Sequence, residues 1–369
     1  MIYLDFGATS FVKPPAVARA VGQALKTCAN PGRGGYREAM NAANRVFACR
    51  EEAGALFGCR PEQVVFTAGC THGLNIAIRS LVDPGDRVVI SGFEHNAVVR
   101  PLYALGADTV VAGRKLFDWE DTLSRFEDAL KQKPKAAVFT HVSNVFGYIL
   151  PVEEMAALCR DRGVPFVMDA AQSAGSIPLS LEKLGAEFIA MPGHKGLLGP
   201  QGTGLLLCRQ AGRPLLYGGT GGESTLRGMP EYLPERLEAG TMNVPGIAGL
   251  AAGLRFLRRR NIADLGAEEA RQARYCAGAL ENMGLRVFRG AHQGGTVSFV
   301  PEGDCEEFAR HLARRGIALR AGLHCAPLAH ESAGTLESGT VRVSFGWNAD
   351  NSQSRGFLRE IAAIVRGKS

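Results

Sequence analysis

Short apolar runs alternate with helical patterns between about residues 38 and 209. The runs are rich in residues that favour strands, and they do not alternate between apolar and polar positions. Uninterrupted runs of this kind are typical of strands buried on both faces of a sheet. They span residues 64–67, 88–90, 136–139, 166–168, 188–191 and 205–207. Helices between such strands predict an α/β fold with a mostly parallel central sheet.

The rest of the chain has a different pattern. Residues 212–246 are loop-like, with two pairs of adjacent glycines and four prolines. Helical patterns follow at about 246–260 and 263–283, and strands are predicted at 297–300, 317–320 and 341–344. We therefore expect a large domain at residues 14–250. A smaller α+β domain would combine residues 1–13 with 251–369.

Composition excludes several classes of protein. The net charge is +6 and the basic residues are scattered, so nothing indicates nucleic-acid binding. No apolar run reaches the roughly 18 residues of a membrane span. The nine cysteines contain no C-x-x-C pair, which argues against a zinc site or a disulfide framework. Free thiols without an export signal predict a cytoplasmic protein.

Polar residues follow the predicted strands, where ligands of parallel sheets bind. The turn 68–73 carries Thr71 at a helix start, which is either an anion site or an ordinary helix cap. Asp169 ends a buried strand and needs a cationic or hydrogen-bonding partner, unless it caps the next helix. Gln172 lies three residues further on.

Lys195 lies among glycines directly after a buried strand. A lysine in that position is typical of a desolvated amine used in covalent chemistry, although its ammonium could also reach solvent. His95 follows another predicted strand and could stack on a ring or move protons. A lone histidine in such a position is more often structural. The functional interpretation of His95 therefore depends on the other candidate residues.

Five motifs occur in the order seen in class V aminotransferase-like enzymes, which use pyridoxal 5′-phosphate (PLP). They are LDFGAT at 4–9, NPGRG at 30–34, MDAAQ at 168–172, GHKG at 193–196 and EAGTMN at 238–243. Within that superfamily, the chain resembles the cysteine desulfurases with a short active-site cysteine loop, a group that also contains selenocysteine lyases. The resemblance covers essentially the whole chain and implies PLP-dependent transferase fold type I.

The resemblance implies roles around the cofactor ring. Lys195 would carry PLP as a Schiff base and move the α-proton of the substrate. Asp169 would keep the pyridine nitrogen protonated, and Gln172 would donate to the ring oxygen. His95 would stack over the ring. The cofactor itself supplies the electron sink.

The resemblance also implies a phosphate site. Thr71 and His194 would bind the phosphate from one subunit, and Gly240 and Thr241 would reach it across a homodimer interface. The chain departs from the family at Pro192, where a serine or threonine is usual. Proline removes a hydroxyl and a backbone donor, so phosphate binding would depend on the remaining groups.

The small domain is expected to bind the substrate. Arg342 matches the arginine that grips the substrate carboxylate, since an arginine fork forms two parallel bonds with a carboxylate. The alternative is that Arg342 is a surface residue of a strand in which apolar and polar residues alternate. Asn144 matches a second polar contact near the carboxylate, and Arg320 is a further substrate-binding candidate.

Cys325 decides which reaction is expected. In desulfurases, a cysteine thiolate attacks the substrate sulfur, becomes a persulfide and leaves alanine as the product. Cys325 lies in a polar loop at the family position, and His324 and Arg320 are the neighbours expected to favour its thiolate. Leu323 stands where close relatives carry a second histidine. A free cysteine is often just a buried apolar residue, which is how we interpret the other eight.

These expectations favour a cytoplasmic, homodimeric cysteine desulfurase that passes persulfide sulfur to an acceptor protein. The substrate would be L-cysteine. Three alternatives stay open: a selenocysteine lyase, another class V reaction such as transamination or epimerisation with Cys325 idle, and a partner-binding protein that keeps PLP only structurally.

Overall fold

The computed structural model describes residues 1–32 and 34–367; Arg33 of the NPGRG motif lies outside the described residues. The helices are α1 (Pro15–Thr27), α2 (Arg37–Phe57), α3 (Cys70–Leu81), α4 (Asn96–Ala104), α5 (Trp119–Leu130), α6 (Val152–Asp161), α7 (Leu181–Leu184), α8 (Val244–Arg258), α9 (Ile262–Asn282), α10 (Cys305–Arg314), α11 (Pro327–Ala333) and α12 (Asn351–Val365). The strands are β1 (Ile2–Tyr3), β2 (Val64–Thr67), β3 (Arg87–Ser91), β4 (Asp108–Ala112), β5 (Ala136–Thr140), β6 (Phe166–Asp169), β7 (Phe188–Pro192), β8 (Gly204–Cys208), β9 (Arg286–Phe288), β10 (Thr296–Val300), β11 (Ile317–Ala318), β12 (Arg320–Gly322) and β13 (Thr340–Ser344).

The central sheet has the strand order β2-β8-β7-β6-β5-β3-β4. Strands β3 to β7 pair in parallel, and β8 runs antiparallel to both β7 and β2. Each of the six predicted apolar runs forms a strand of this sheet, so the predicted α/β class is confirmed. β4 was not predicted; it lies at the edge of the sheet and its first residues are exposed.

Both faces of the central sheet are buried, which explains the uninterrupted apolar runs. In β6, Phe166 and Met168 belong to one hydrophobic cluster and Val167 belongs to another on the opposite face. Successive side chains of a strand point to opposite faces, so a strand covered on both sides needs apolar residues throughout. The carboxyl ends of the parallel strands all open at one edge of the sheet.

The C-terminal part forms a separate antiparallel sheet in the order β12-β13-β10-β9. Its core includes residues of α9, α10 and α12. The single strand predicted at 317–320 is divided, because β11 pairs with β1 and β12 pairs with β13. α8 runs across residue 250 without interruption. The domain boundary drawn there stays a prediction.

The N-terminal segment connects the two parts of the molecule. β1 pairs with β11, and Asp5 forms a bridge with Ser344 at the end of β13. Four residues later, Thr9 and Ser10 bond to the loop after β7. Among the helices that the structure describes, none is both long and apolar enough to cross a membrane.

Candidate active site

A cavity of about 470 Å³ opens at the carboxyl ends of the central strands. The residues predicted for the site that line it are Thr71, His95, Asn144, Asp169, Gln172, His194 and Lys195. They come from loops that are far apart in the sequence, and the parallel topology brings them to one edge of the sheet. Pro192, the predicted departure from the family, also lines the cavity.

Lys195 lies in the loop that joins β7 to β8. Its backbone carbonyl accepts hydrogen bonds from Ser10 Oγ over 2.6 Å and from the N–H of Leu198 over 2.9 Å, which fixes the backbone. Burial lowers the pKa of its ammonium, and the nearby Arg342 guanidinium lowers it further, against the opposing effect of Asp169. A lysine with a lowered pKa provides the neutral amine that attacks carbonyl carbons.

Asp169 ends β6 and is 2% exposed. Its Oδ1 accepts the backbone N–H of Ala171 over 2.8 Å and the thiol hydrogen of Cys70 over 3.4 Å. Both bonds go to one oxygen, which leaves Oδ2 for a cation in the cavity. The sequence predicts Cys70 only as a buried apolar residue, yet it lines the cavity and orients this carboxylate. Its place as the first residue of α3, directly after Gly69, is the only indication in the sequence.

His95 and Gln172 are both held by local hydrogen bonds. His95 caps α4, and its Nδ1 accepts the backbone N–H of Ala97 over 3.0 Å. Burial lowers the pKa of the ring, so it is neutral and carries its hydrogen on Nε2. The amide nitrogen of Gln172 donates to the carbonyl oxygen of Gly7 over 3.0 Å.

The first turn of α3 provides an anion site. No side chain caps this helix, and its first residues, Cys70, Thr71 and His72, line the cavity, so its unpaired N–H groups are available to an anion there. His194 borders the same cavity, and its Nδ1 lies 3.1 Å from Thr9 Oγ1. Burial lowers the pKa of His194 to about 4, so the ring is neutral at pH 7.

Gly240 and Thr241 do not line the cavity that contains Lys195. They are exposed, and they border a neighbouring cavity of about 220 Å³ together with Ala68 and His72, which line both cavities. Gly240 has a φ of 93°, in the left-handed region that favours glycine. Within one chain, the two predicted phosphate ligands therefore stand beside the site and not inside it.

Arg342 lies on β13 and is 2% exposed. Its Nη2 donates to Asp5 Oδ1 over 2.7 Å, its Nη1 donates to the carbonyl of Asn144 over 3.0 Å, and its Nε has no partner. Arg320 is half-exposed and lies 3.3 Å from the other oxygen of Asp5. Sequence reasoning missed Asp5, although it belongs to the LDFGAT motif.

The loop that carries Cys325 approaches the cavity at His95. The carbonyl oxygen of Cys325 accepts the N–H of Asn96, the residue after His95, over 2.8 Å. All nine cysteines lie in the described part of the chain, and Cys325 is the only exposed one. Leu323, the departure from the family pattern that the sequence predicts in this loop, is also exposed.

The expectation that His324 would favour the Cys325 thiolate is wrong. The His324 ring is buried, and its Nε2 lies 3.1 Å from the carbonyl oxygen of Thr340. Burial and the nearby Arg342 hold the pKa of His324 well below its usual range. A buried, neutral imidazole that is bonded to Thr340 provides no positive charge for the thiolate.

The residues present fit PLP. An uncapped helix start matches a phosphate, and a carboxylate with one oxygen unused matches a protonated pyridine nitrogen. The desolvated amine of Lys195 lies in the same cavity and matches the aldehyde carbon. These groups come from three loops at one sheet edge. They define a site for an anionic, aldehyde-bearing aromatic cofactor.

Comparison with known proteins identifies the family to which this chain belongs. The family model for aminotransferase class-V matches residues 2–354, so the chain belongs to the class V aminotransferase family, whose members depend on PLP. Within it, the chain belongs to the cysteine desulfurase group.

Three relatives illustrate the similarity. A probable cysteine desulfurase from Methanothermobacter thermautotrophicus is 32% identical, over 93% of this chain and 89% of that protein. The apo structure of a cysteine desulfurase from Thermococcus onnurineus superimposes with a TM-score of 0.89 at 31% identity, over 99% of this chain and 95% of that chain. The cysteine desulfurase CsdA from Escherichia coli has a TM-score of 0.84 at 28% identity, over 99% of this chain and 94% of that chain.

Proposed function

We propose that the chain is a PLP-dependent cysteine desulfurase that converts L-cysteine to L-alanine and leaves the sulfur as a persulfide on Cys325. The observation that carries this proposal is the position of Cys325. It is the exposed cysteine, and its backbone is bonded to the residue beside His95, which lines the Lys195 cavity. Family membership supports the same chemistry.

Each residue of the cavity has a role in holding the cofactor. Lys195 would hold PLP covalently, and Asp169 Oδ2 would keep the pyridine nitrogen protonated. Gln172 would border the ring oxygen, and His95 would lie over the ring. When bound, PLP supplies the sink for the electron pair released at the α-carbon. The neutral amine of Lys195 then has a second task, which is to accept and return the α-proton.

The phosphate would be bound by the first turn of α3, by Thr71 and by His194. The neutral ring of His194 offers a hydrogen-bond donor without a permanent charge. Pro192 offers no donor, so the helix N–H groups carry more of the binding. Gly240 and Thr241 would complete the site from a second subunit.

Arg342 would bind the substrate carboxylate through its free Nε and the remaining hydrogens of its fork. Arg320 would add a second, more exposed positive charge beside Asp5. With two guanidinium groups and one internal carboxylate, this cluster has a net charge of about +1, which suits one amino-acid carboxylate.

The sulfur step conserves atoms and electrons. The Cys325 thiolate attacks the sulfur of the substrate, a sulfur–sulfur bond forms, and the bond between that sulfur and Cβ breaks. The electron pair of the broken bond stays on carbon, and a proton then gives the methyl group of alanine. The sum is L-cysteine plus Cys325 thiol to L-alanine plus Cys325 persulfide. An acceptor protein would remove the persulfide sulfur.

A homodimer would cover an apolar surface beside the site. A depression of about 980 Å³ is lined by Phe47 of α2 together with Gly240 and Thr241. Phe47 is 51% exposed, and Met40 on the same helix is 50% exposed. A second copy that buries these side chains would bring Gly240 and Thr241 to the phosphate of its partner. We propose that this dimer works in the cytoplasm.

Alanine and sulfide assays with matched cysteine variants test the proposal. The wild-type protein is expected to release alanine from L-cysteine, and Cys325→Ala is expected to lose nearly all of that activity. Cys28→Ala is the control, since Cys28 lies at the end of α1 away from the cavity. Full activity of Cys325→Ala on L-cysteine would refute the role of Cys325. Activity of that variant on L-selenocysteine alone would indicate a selenocysteine lyase.

A further inference from the structure

The hydroxyl group of Thr9 has two acceptors within reach and only one hydrogen to donate. Its Oγ1 lies 3.1 Å from the backbone carbonyl oxygen of His194 and 3.1 Å from Nδ1 of the same residue. The carbonyl oxygen can only accept, whereas the ring nitrogen can either donate or accept. The direction of the bond between Thr9 and the ring therefore decides which nitrogen of His194 carries the ring hydrogen.

The backbone carbonyl of His194 does not depend on the hydroxyl of Thr9. It also accepts the backbone N–H of Ser10 over 2.9 Å. This second bond keeps the carbonyl oxygen paired when the hydroxyl turns towards the ring, so the turn leaves no backbone group without a partner. The hydroxyl of Thr9 is therefore free to donate its hydrogen to Nδ1 of His194.

The ring of His194 has a single hydrogen on its two nitrogens. Burial, with smaller contributions from the ammonium groups of Lys195 and Lys13, lowers the pKa of His194 to about 4. An opposite charge nearby shifts a pKa by about 1–3 units, so a bound anion leaves the ring mostly neutral at about pH 8. A neutral imidazole has one donor nitrogen and one acceptor nitrogen.

The two tautomers of His194 would have opposite effects on a bound phosphate. His194 lines the Lys195 cavity and its Nδ1 faces Thr9, so Nε2 is the nitrogen left for the cavity. If Nδ1 carries the hydrogen, the lone pair of Nε2 repels a phosphate oxygen. If Thr9 donates to Nδ1, the hydrogen is on Nε2 and can be donated to the phosphate. Because Pro192, two residues earlier, has no N–H, phosphate binding depends more on this donor.

We infer that Thr9 is a positioning residue for His194, whose hydroxyl donates to Nδ1 and so fixes the tautomer that presents an Nε2–H group to the phosphate of PLP. This role rests on the proposed function, in which His194 binds the phosphate. Thr9 belongs to the LDFGAT motif, and Asp5 of the same motif holds Arg342. One short N-terminal segment would thus prepare both the phosphate site and the carboxylate site.

Three substitutions separate the hydroxyl from the rest of the contact. Thr9→Val keeps the shape and removes the hydroxyl, Thr9→Ser keeps the hydroxyl, and His194→Ala removes the ring but keeps the backbone carbonyl. Thr27→Val is the matched control, because Thr27 Oγ1 also donates to a backbone carbonyl, that of Gln23 over 2.9 Å, at the end of α1 and outside the cavity.

Absorption titration of the cofactor-free, full-length chain at about pH 8 gives the dissociation constants of PLP and of pyridoxal. Pyridoxal lacks the phosphate, so the ratio of the two constants isolates phosphate binding. We expect Thr9→Val to reduce the preference for PLP about threefold to tenfold, because the hydrogen bond from His194 to the phosphate is weakened. Thr9→Ser and Thr27→Val should stay within about twofold of wild type.

A double variant tests whether Thr9 acts through the ring of His194. His194→Ala should reduce the preference for PLP about tenfold or more, since it removes a hydrogen bond to a charged group. Adding Thr9→Val to His194→Ala should have no further effect, because the ring that Thr9 orients is then absent. Nitrogen-15 NMR of the histidine-labelled, PLP-loaded wild type should show the His194 hydrogen on Nε2. The signal is identified by its absence from His194→Ala.

An unchanged preference for PLP in Thr9→Val would overturn the role of Thr9. A further loss in the double variant would also overturn it, because Thr9 would then act through the carbonyl of His194. So would a hydrogen on Nδ1 in the PLP-loaded protein, since Thr9 would then be the acceptor. The NMR measurement needs no substitution at Thr9, so it decides the direction of the bond even if Thr9→Val does not fold.

The wild-type protein reports separately on the proposed function. If it binds PLP no more tightly than pyridoxal, the proposed phosphate site fails whatever the Thr9 variants do. If it prefers PLP and His194→Ala keeps that preference, His194 is not a phosphate ligand. If His194→Ala loses the preference and Thr9→Val keeps it, only the role of Thr9 fails.

Discussion

Arg342 and Asp5 form a buried ion pair, with 2.7 Å between Nη2 and Oδ1, although 337 positions separate them in the sequence. Asp5 also attracts Arg320, whose Nη2 lies 3.3 Å from Oδ2. The carboxylate of Asp5 thus holds the guanidinium of Arg342 in place and separates two like charges. Substrate binding should depend on it.

Asp5→Asn is expected to raise KM for L-cysteine about tenfold or more and to change kcat much less. A hydrogen bond to a charged group contributes about 1.5–3 kcal/mol, and its loss lets the Arg342 fork leave the orientation that a carboxylate needs. Steady-state kinetics of alanine release measure the effect. Asp108→Asn, in an exposed pair with Arg87 at 2.7 Å, is the control. An unchanged KM for Asp5→Asn would show that Asp5 does not orient Arg342.

Cysteine alkylation should separate Cys325 from Cys70, the second thiol near the site. Burial and the adjacent carboxylate of Asp169 hold the pKa of Cys70 well above its usual range. Since the thiolate is the reactive form, iodoacetamide at about pH 7.5 should modify exposed Cys325 at least about tenfold faster than Cys70. Peptide mass spectrometry over time measures both rates. Equal rates would mean that Cys70 is accessible and ionised.

Removal of one partner from the buried Arg50–Glu238 pair should destabilise the fold. The pair joins α2 to the loop before α8, with 2.5 Å between Nη2 and Oε2 and both side chains less than a tenth exposed. Arg50→Ala leaves Glu238 buried without its cation and should reduce the free energy of unfolding by roughly 3–5 kcal/mol. Denaturant unfolding measures this. Arg87→Ala breaks an exposed pair and should cost less than about 1 kcal/mol; similar losses for the two variants would contradict the account.

Glu269 should make stability depend on pH. Burial raises the pKa of this carboxyl from 4.5 to about 8, against the hydrogen bond from Ser176. At pH values between these two pKa values, Glu269 holds a proton in the folded chain and has lost it in the unfolded chain. The stabilisation by protonated Glu269 is therefore fully present below the unfolded pKa. It is lost as pH rises through the folded pKa, by at most about 1.4 kcal/mol per pH unit.

Glu269→Gln removes this titration and keeps an oxygen for Ser176. The free energy of unfolding of the variant should therefore rise relative to wild type between about pH 5 and about pH 8. The other titratable groups are the same in both proteins, so the comparison isolates Glu269. Urea unfolding at the two pH values measures it. A difference that does not vary with pH would mean that Glu269 is ionised normally.

The sequence predicted the elements whose burial is uniform along the chain. The apolar runs of the central sheet were found because both faces of that sheet are covered. β4 was missed because an edge strand with exposed first residues lacks that pattern. The division of residues 317–320 into β11 and β12 was also missed, because the change of partner from β1 to β13 is a long-range event.

The residues of the site also divide into those that local sequence patterns reveal and those that depend on long-range contacts. Motifs and strand ends predicted the residues that share the Lys195 cavity, since each follows a strand of one sheet. The contacts of Asp5 with Arg342 and of Asn144 with His324 join elements far apart in the chain. The burial of His324 depends on β13, which no local pattern around residue 324 reveals.

Mass spectrometry of the PLP-loaded protein after brief exposure to L-cysteine tests the central claim most directly. The account predicts one added sulfur atom on the peptide that contains Cys325, removable by a thiol reductant and absent from Cys325→Ala and Lys195→Ala. Alanine release without added sulfur on that peptide, or added sulfur on another cysteine in its place, would contradict it.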